Sequence, residues 1–303
     1  MADTRFLPVP EALAGERLDV ALARMLGLSR NRVADLLDAQ NVLVDGKIPT
    51  KSQRLQATNL LEVTLPAQDS PPPPITDLEI LYEDEDVVVV NKPVGVAAHS
   101  GPGWPGPTVL ASLEAAGVPI ADAGPPERKG IVSRLDVGTS GAMLVCKSVL
   151  GFSTMKRAFK EHRVTKIYQA VVAGHPDPLH GTIDAPIGRH PSREWRMAII
   201  EGGKPALTHY DVIEMFPGAS LLEIHLETGR THQIRVHMEA IGHPCVGDTF
   251  YGADPKQAEM LGLTRQWLHA SKLEFNQPHT EEKIFVTAPL PADLEEALEK
   301  LRL

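Results

Sequence analysis

Between residues 17 and 25 the apolar positions Leu18, Ala21, Leu22 and Met25 recur at helical spacing, which predicts an amphipathic helix. Ser29 stands as the N-cap of a second helix, with Val33, Leu36 and Leu37 on one face. Residues 41–47 alternate and carry Asp45-Gly46, a hairpin-turn dipeptide. Residues 59–65 read as a closing strand. Helix, helix, hairpin and strand predict a small α+β module over 15–70. Four prolines follow, Pro71 to Pro74. They offer no amide donors to a helix or a ladder, so an extended linker is expected over 71–76.

From 77 to 303 the pattern changes to short strands with fewer helices. Residues 86–92, 141–148, 166–174, 207–216 and 220–229 read as strands from their alternation and β-branched content. Residues 152–163 predict an amphipathic helix with a basic exposed side, and residues 232–242 a helix entered from the turn at Gly229. Strands outnumber helices and do not alternate regularly with them. The fold class expected is α+β, a domain on a mixed, largely antiparallel sheet preceded by the small module.

Charge alters this picture only locally. The net charge of −9 speaks against a polyanionic partner. Yet residues 128–168 hold nine Lys and Arg against two acids, while acid gathers at 83–86 and in the C-terminal tail. A basic face on an acidic protein suits phosphate binding and equally suits a solvated surface. The two cysteines, Cys146 and Cys245, lie far apart and form no CxxC pair, which argues against disulfides and a thiolate zinc site. The opening residues lack the basic and apolar stretches of a signal peptide, and the longest apolar runs are too short to span a bilayer. A soluble, cytoplasmic, monomeric protein with no membrane partner is expected.

Three segments concentrate chemistry. In residues 130–141 an Arg and an Asp flank Leu135, and a turn with Gly138 and Gly141 follows. Glycines there let backbone approach a ligand, and a carboxylate on such a loop can serve as nucleophile or base. Spacing alone leaves this open against a plain surface turn. Residues 227–237 pack two arginines, two histidines, a glutamine and two threonines behind a strand, a density of donors suited to phosphate or carboxylate. Residues 163–168 set Tyr168 beside Arg163 and Lys166. Tyrosine can stack on a base, though a strand tyrosine is as readily a core residue. His232 and His237 are five apart with no Glu between them, which does not match a helical zinc pair. Ser140 lies outside a GxSxG elbow, and no GxxxxGK phosphate loop occurs. No metal and no nucleotide cofactor is indicated.

Taken together these segments resemble the RluA/RluD family of RNA pseudouridine synthases. The family pattern around its catalytic aspartate stands here as Ser133-Arg134-Leu135-Asp136, then Thr139-Ser140-Gly141. The second motif stands as Lys166-Ile167-Tyr168, and the third as residues 226–237 followed by Gly247-Asp248 and Tyr251-Gly252. The opening strand, with Asn91-Lys92-Pro93, also matches. Residues 15–70 resemble the S-four type RNA-binding module in Arg17-Leu18-Asp19, Leu28-Ser29-Arg30 and residues 42–46. Ser133 replaces the usual histidine.

The resemblance implies conversion of uridine to pseudouridine in structured RNA, with large-subunit ribosomal RNA as the expected partner and no cofactor. It assigns Asp136 as the catalytic carboxylate. Arg235 pairs with Asp136 and orients it, and Tyr168 stacks under the uracil. Arg134 fills the place of the extruded base or holds the adjacent phosphate. Lys166, Arg230, His232 and Gln233 are expected RNA contacts. Lys156, Lys160 and Arg163 are expected as a phosphate track along one helical face.

Overall fold

A computed structural model describes residues 3–65, 74–101 and 104–303. The first half of the expected linker, Pro71 to Pro73, lies outside the described residues. The chain falls into two compact units, Met1–Pro72 and Pro73–Leu303.

The first unit orders β1 (Asp3–Pro8), α1 (Leu18–Leu26), α2 (Arg30–Asp38), β2 (Val42–Val44) and β3 (Leu60–Leu65). The expected cap forms: Ser29 Oγ accepts from Arg32 N at 3.2 Å. The expected turn forms as well, with Asp45 and Gly46 both at positive φ. Val44 and Lys47 close it by exchanging backbone hydrogen bonds at 2.8 and 3.0 Å, the Asp45 carboxylate accepts from Leu60 N at 2.8 Å, and β2 pairs as a strand with β3. The unit begins earlier than its apolar periodicity suggests. β1 runs antiparallel to β3 over its whole length, and Pro8 is tolerated because β1 is an edge strand. Leu18, Leu22, Leu36, Val42, Leu61 and Val63 form the core.

In the second unit the order is β4 (Glu79–Glu83), β5 (Val87–Lys92), α3 (Val109–Ala115), β6 (Ser140–Cys146), α4 (Val149–Lys160), β7 (Thr165–Ala173), β8 (His180–Asp184), β9 (Ile187–His190) and β10 (Arg193–Ile199). Then come β11 (Leu207–Phe216), β12 (Ala219–Leu226), α5 (Gln233–Ala240), α6 (Pro255–Leu261), β13 (Leu268–Asn276), β14 (Lys283–Thr287) and α7 (Ala292–Arg302). Among the described residues the main sheet has nine strands, ordered β4-β5-β6-β13-β7-β12-β11-β8, with β14 beside β13. All its pairings are antiparallel except β6 with β13, a parallel contact of two residue pairs, His269 with Ser140 and Ala270 with Gly141. This is the mixed, largely antiparallel α+β sheet. β9 and β10 form a separate hairpin.

Period-two alternation gives β5 and β6 two apolar faces. Val87, Val89, Ala142 and Leu144 pack with Phe152, Met155 and Ala158 of α4. Val88, Val90, Met143 and Val145 pack with Val109 and Leu113 of α3, and with Leu135 of the loop before β6. Helix α4 and Leu135 therefore lie on opposite faces of the sheet. No helix among the described residues is long and apolar enough to cross a membrane.

Candidate active site

Asp136 opens the turn that feeds β6, with Thr139 N donating to its carbonyl at 3.0 Å. The loop is held from behind by Lys92, the last residue of β5, which is wholly buried. Its Nζ donates to Val96 O at 2.8 Å, to Pro93 O at 2.9 Å and to Val137 O at 3.5 Å. Burial pulls the Lys92 pKa down to about 7, against the opposing charge of Asp136. Gly138 and Gly141 are both required by close approach within the protein. A Cβ at Gly138 would lie 2.5 Å from Gln266 Oε1, and one at Gly141, where φ is +116°, would lie 2.2 Å from Ala270 O. Ser140 gives its hydroxyl to the buried His269, Oγ to Nδ1 at 3.0 Å, while His269 Nε2 faces Ala288 O.

Arg235 reaches Asp136 from the first turn of α5. Its Nη1 donates to Asp136 Oδ2 at 3.2 Å. Nε and Nη2 donate to the two oxygens of Asp248 at 2.6 and 3.0 Å. The guanidinium also lies over the Tyr251 ring, 4.8 Å from its centroid. Burial works against its charge, but the bonds and charge of Asp248, then those of Asp136, outweigh this and raise its pKa. His232 precedes α5 at a φ of 57°. Its Nδ1 meets Tyr251 Oη at 2.7 Å and its Nε2 lies 4.0 Å from Asp136 Oδ2. Burial lowers its pKa, so it is neutral at physiological pH.

Tyr168 projects from β7 into the same cavity, whose lining includes Arg134, Asp136, Tyr168, Arg230, His232 and Arg235. Burial, then the Asp136 charge, pushes the Tyr168 phenol well up. It stays protonated at neutral pH and can donate a hydrogen bond but not act as a base. A half-exposed carboxylate, an arginine locked in place by a second carboxylate, and an aromatic face thus meet in one pocket. That arrangement can present an oriented nucleophile to a planar ring. Among the described residues no set of three or more His, Cys, Asp or Glu side chains is placed to hold a metal ion.

Residues 86–240 match the model of the RNA pseudouridylate synthase family, and residues 16–60 match the S4 domain. The chain belongs to the RNA pseudouridylate synthase family. It is 54% identical to an uncharacterized RNA pseudouridine synthase of Mycobacterium bovis, covering 100% of this chain and 99% of that one. It is 39% identical to ribosomal large subunit pseudouridine synthase D of Escherichia coli K12, over 97% of this chain and 93% of that one. Its fold is similar to that of human RNA pseudouridylate synthase domain containing 1, with a TM-score of 0.57 and 29% identity over 76% of this chain and 97% of that one.

In this pseudouridylate synthase the expected site residues divide. Asp136, Tyr168, Arg235, Arg134, Arg230 and His232 line one cavity. Gln233 also borders it, but the residue is only 3% exposed. Its oxygen accepts from Thr228 Oγ1 and Arg230 N, and its nitrogen donates to Leu207 O and Thr208 Oγ1. All its side-chain hydrogen-bonding capacity is internal, so it orders the loop. Lys166 commits its ammonium to Glu227 O at 3.0 Å and Thr228 O at 3.3 Å. Burial, with Arg230 nearby, lowers its pKa to about 8. It tethers the same loop.

The expected phosphate track does not reach the site. Helix α4 ends at Lys160, and His162 turns at a φ of 57°, so Arg163 leaves the helical face and pairs with Glu161 at 2.7 Å. Lys156 lies over the Phe152 ring. The helix covers the sheet face away from Leu135, and Lys156, Lys160 and Arg163 line neither this cavity nor its neighbours. The sequence reading gave no role to Lys92, Asp248 or Tyr251. All three stand in the motif segments, and only their burial beside Asp136 and Arg235 reveals what they hold.

Proposed function

We propose that this synthase isomerises uridine to pseudouridine in large-subunit ribosomal RNA, as a cytoplasmic monomer, with Asp136 as its nucleophile and no cofactor. The reading rests on one observation above the others: Asp136 and Arg235 meet at 3.2 Å inside a pocket that Tyr168 also lines. The ribosomal target follows the name of the Escherichia coli relative. The reaction breaks the bond from ribose C1′ to uracil N1 and joins C1′ to C5. A proton leaves C5 and another is gained at N1, so atoms and electrons balance without a redox partner. Arg235 holds the carboxylate in register and favours its ionised form. Tyr168 offers its ring as the platform for the extruded uracil. Arg134, next to the nucleophile, takes the place the base has left. The first unit, Met1–Pro72, supplies a second grip on the RNA.

The test is to incubate the full chain with large-subunit ribosomal RNA and with transfer RNA, and to map pseudouridines by chemical modification and primer extension. Conversion of one or a few uridines in the ribosomal RNA, abolished by Asp136→Asn with RNA affinity retained, is the expected result. Product formed by the variant at the wild-type rate would overturn the role of Asp136. Conversion confined to transfer RNA would overturn the ribosomal target and leave the chemistry standing.

A further inference from the structure

Behind Arg230 a second cavity opens, of about 440 Å³. It shares Arg134, Gly229, Arg230 and Thr231 with the Asp136 cavity, so the two adjoin across one loop. Its other wall is the β9–β10 hairpin and the turn behind it, which brings Arg189 and Lys204 to the rim and Ile187, Met197 and Ile200 to the floor. Among the described residues four cations border it and no acid does.

The backbone places these groups firmly. Ile187 and Lys204 exchange backbone hydrogen bonds at 2.9 Å each. That approach is possible because Gly203 has no side chain: a Cβ there would lie 2.8 Å from the Ile187 carbonyl carbon. Arg230 Nε donates to Pro205 O at 2.9 Å, and Arg134 donates to Thr231 Oγ1. Gly229 stands on the wall of both cavities, at a backbone angle open to any residue, and a Cβ there would meet nothing within 4 Å. A Cβ at 229 would therefore stand in open space where the two cavities adjoin.

Cations around an apolar floor match the two parts of a nucleotide, an anionic phosphate and a flat apolar base face. We propose that this cavity binds the nucleotide adjoining the target uridine. Arg189 and Lys204 hold the phosphate between the two nucleotides, and the neighbouring base rests on Ile187, Met197 and Ile200. The assignment rests on the reading of Asp136 as the reaction centre. It moves the RNA track from helix α4 to the hairpin, where the cations and the pocket coincide.

The test uses the full chain and a short RNA hairpin carrying the uridine found by mapping. In the double variant Arg189→Ala/Lys204→Ala, KM should rise on the order of tenfold while turnover at saturating RNA stays close to wild type. The slope of log affinity against log salt should flatten by about one to two units. Both residues are exposed, so the fold should persist. A neutral methylphosphonate is then placed at the linkage 5′ or 3′ of the uridine. At one of the two positions it should weaken binding to the wild type and add nothing to the defect of the double variant. An unchanged KM and salt slope in the double variant, or additive losses at both linkages, would overturn the proposal. Absence of any product from the wild-type protein would instead strike the reading of Asp136 on which it rests.

Discussion

Arg235 binds two carboxylates at once, Asp136 through Nη1 at 3.2 Å and Asp248 through Nε and Nη2 at 2.6 and 3.0 Å. The stronger, bidentate pairing goes to the carboxylate that is 3% exposed. Asp248 thus sets where the guanidinium lies, and the guanidinium sets where the nucleophile lies.

Asp248→Asn should therefore lower turnover more than RNA affinity. An amide keeps one acceptor but leaves the buried guanidinium short of a countercharge, which costs about 3 kcal/mol. Urea unfolding should show that loss, and single-turnover kinetics should show a rate reduced about 10- to 100-fold with KM nearly unchanged.

Tyr168 separates ring from hydroxyl. Tyr168→Phe keeps the stacking surface and should bind RNA like the wild type, whereas Tyr168→Ala should lose about 1–3 kcal/mol of binding. Because burial and Asp136 raise the phenol pKa, the wild-type pH–rate profile should show no tyrosine ionisation between pH 6 and 9. Equal affinities for the two variants would remove the stacking role.

Lys92 gives stability a pH dependence. Its folded pKa, about 7, lies below the ordinary 10.5, so between those values the unfolded chain holds a proton that the folded chain has released. Stability from this group rises with pH across that window. From pH 7 to pH 9 the urea midpoint of the wild type should climb relative to Lys92→Met, by about 1–2 kcal/mol in free energy. Parallel curves would show that Lys92 titrates normally.

Gly141→Ala tests the joint of the sheet. The added methyl would lie 2.2 Å from Ala270 O at a backbone angle that disfavours side chains, within a β6–β13 contact only two residue pairs long. A loss of about 3 kcal/mol is expected, together with lower turnover, because Asp136 enters the same strand. A thermal melt unchanged from wild type would contradict the close approach.

Removing residues 1–72 should leave the second unit folded, since Leu18, Leu36 and Val63 belong to a separate core. Turnover at saturating RNA should persist while KM rises. Aggregation of the truncated protein would show that the units depend on each other.

The segments holding Asp136, Tyr168 and Arg235 stand out in the sequence, but the roles of the three residues come from the resemblance to the RluA/RluD family and not from spacing. What escaped depends on which way a face turns. Helical spacing shows that Lys156 and Lys160 are exposed, but not on which side of the sheet α4 lies. The polarity of Gln233 and Lys166 suggests ligand contacts, whereas Lys166 meets the backbone carbonyls of Glu227 and Thr228 and Gln233 meets backbone and hydroxyl groups of 207–208 and 228–230. Gly138 and Gly141 read as room for a ligand and turn out to admit Gln266 and Ala270. The β9–β10 hairpin carries too many polar residues for alternation to reveal it, and the cavity it borders exists only once the loop at 229–231 is folded against it.

Tyr251 narrows what the chain can tolerate. Wholly buried, it lies between the Arg235 and Arg196 guanidiniums at 4.8 and 4.9 Å, and its hydroxyl meets His232 Nδ1 at 2.7 Å and Met197 N at 3.1 Å. Phenylalanine would preserve both stacks and strand two polar partners. Histidine or leucine would uncover the guanidiniums. Two stretches of chain, 196–197 and 232–235, each call on both the ring and the hydroxyl of this one side chain, and a phenol supplies both. Drift at position 251 is therefore closed off although Tyr251 itself is wholly buried, because it supports His232 and Arg235 on the cavity wall.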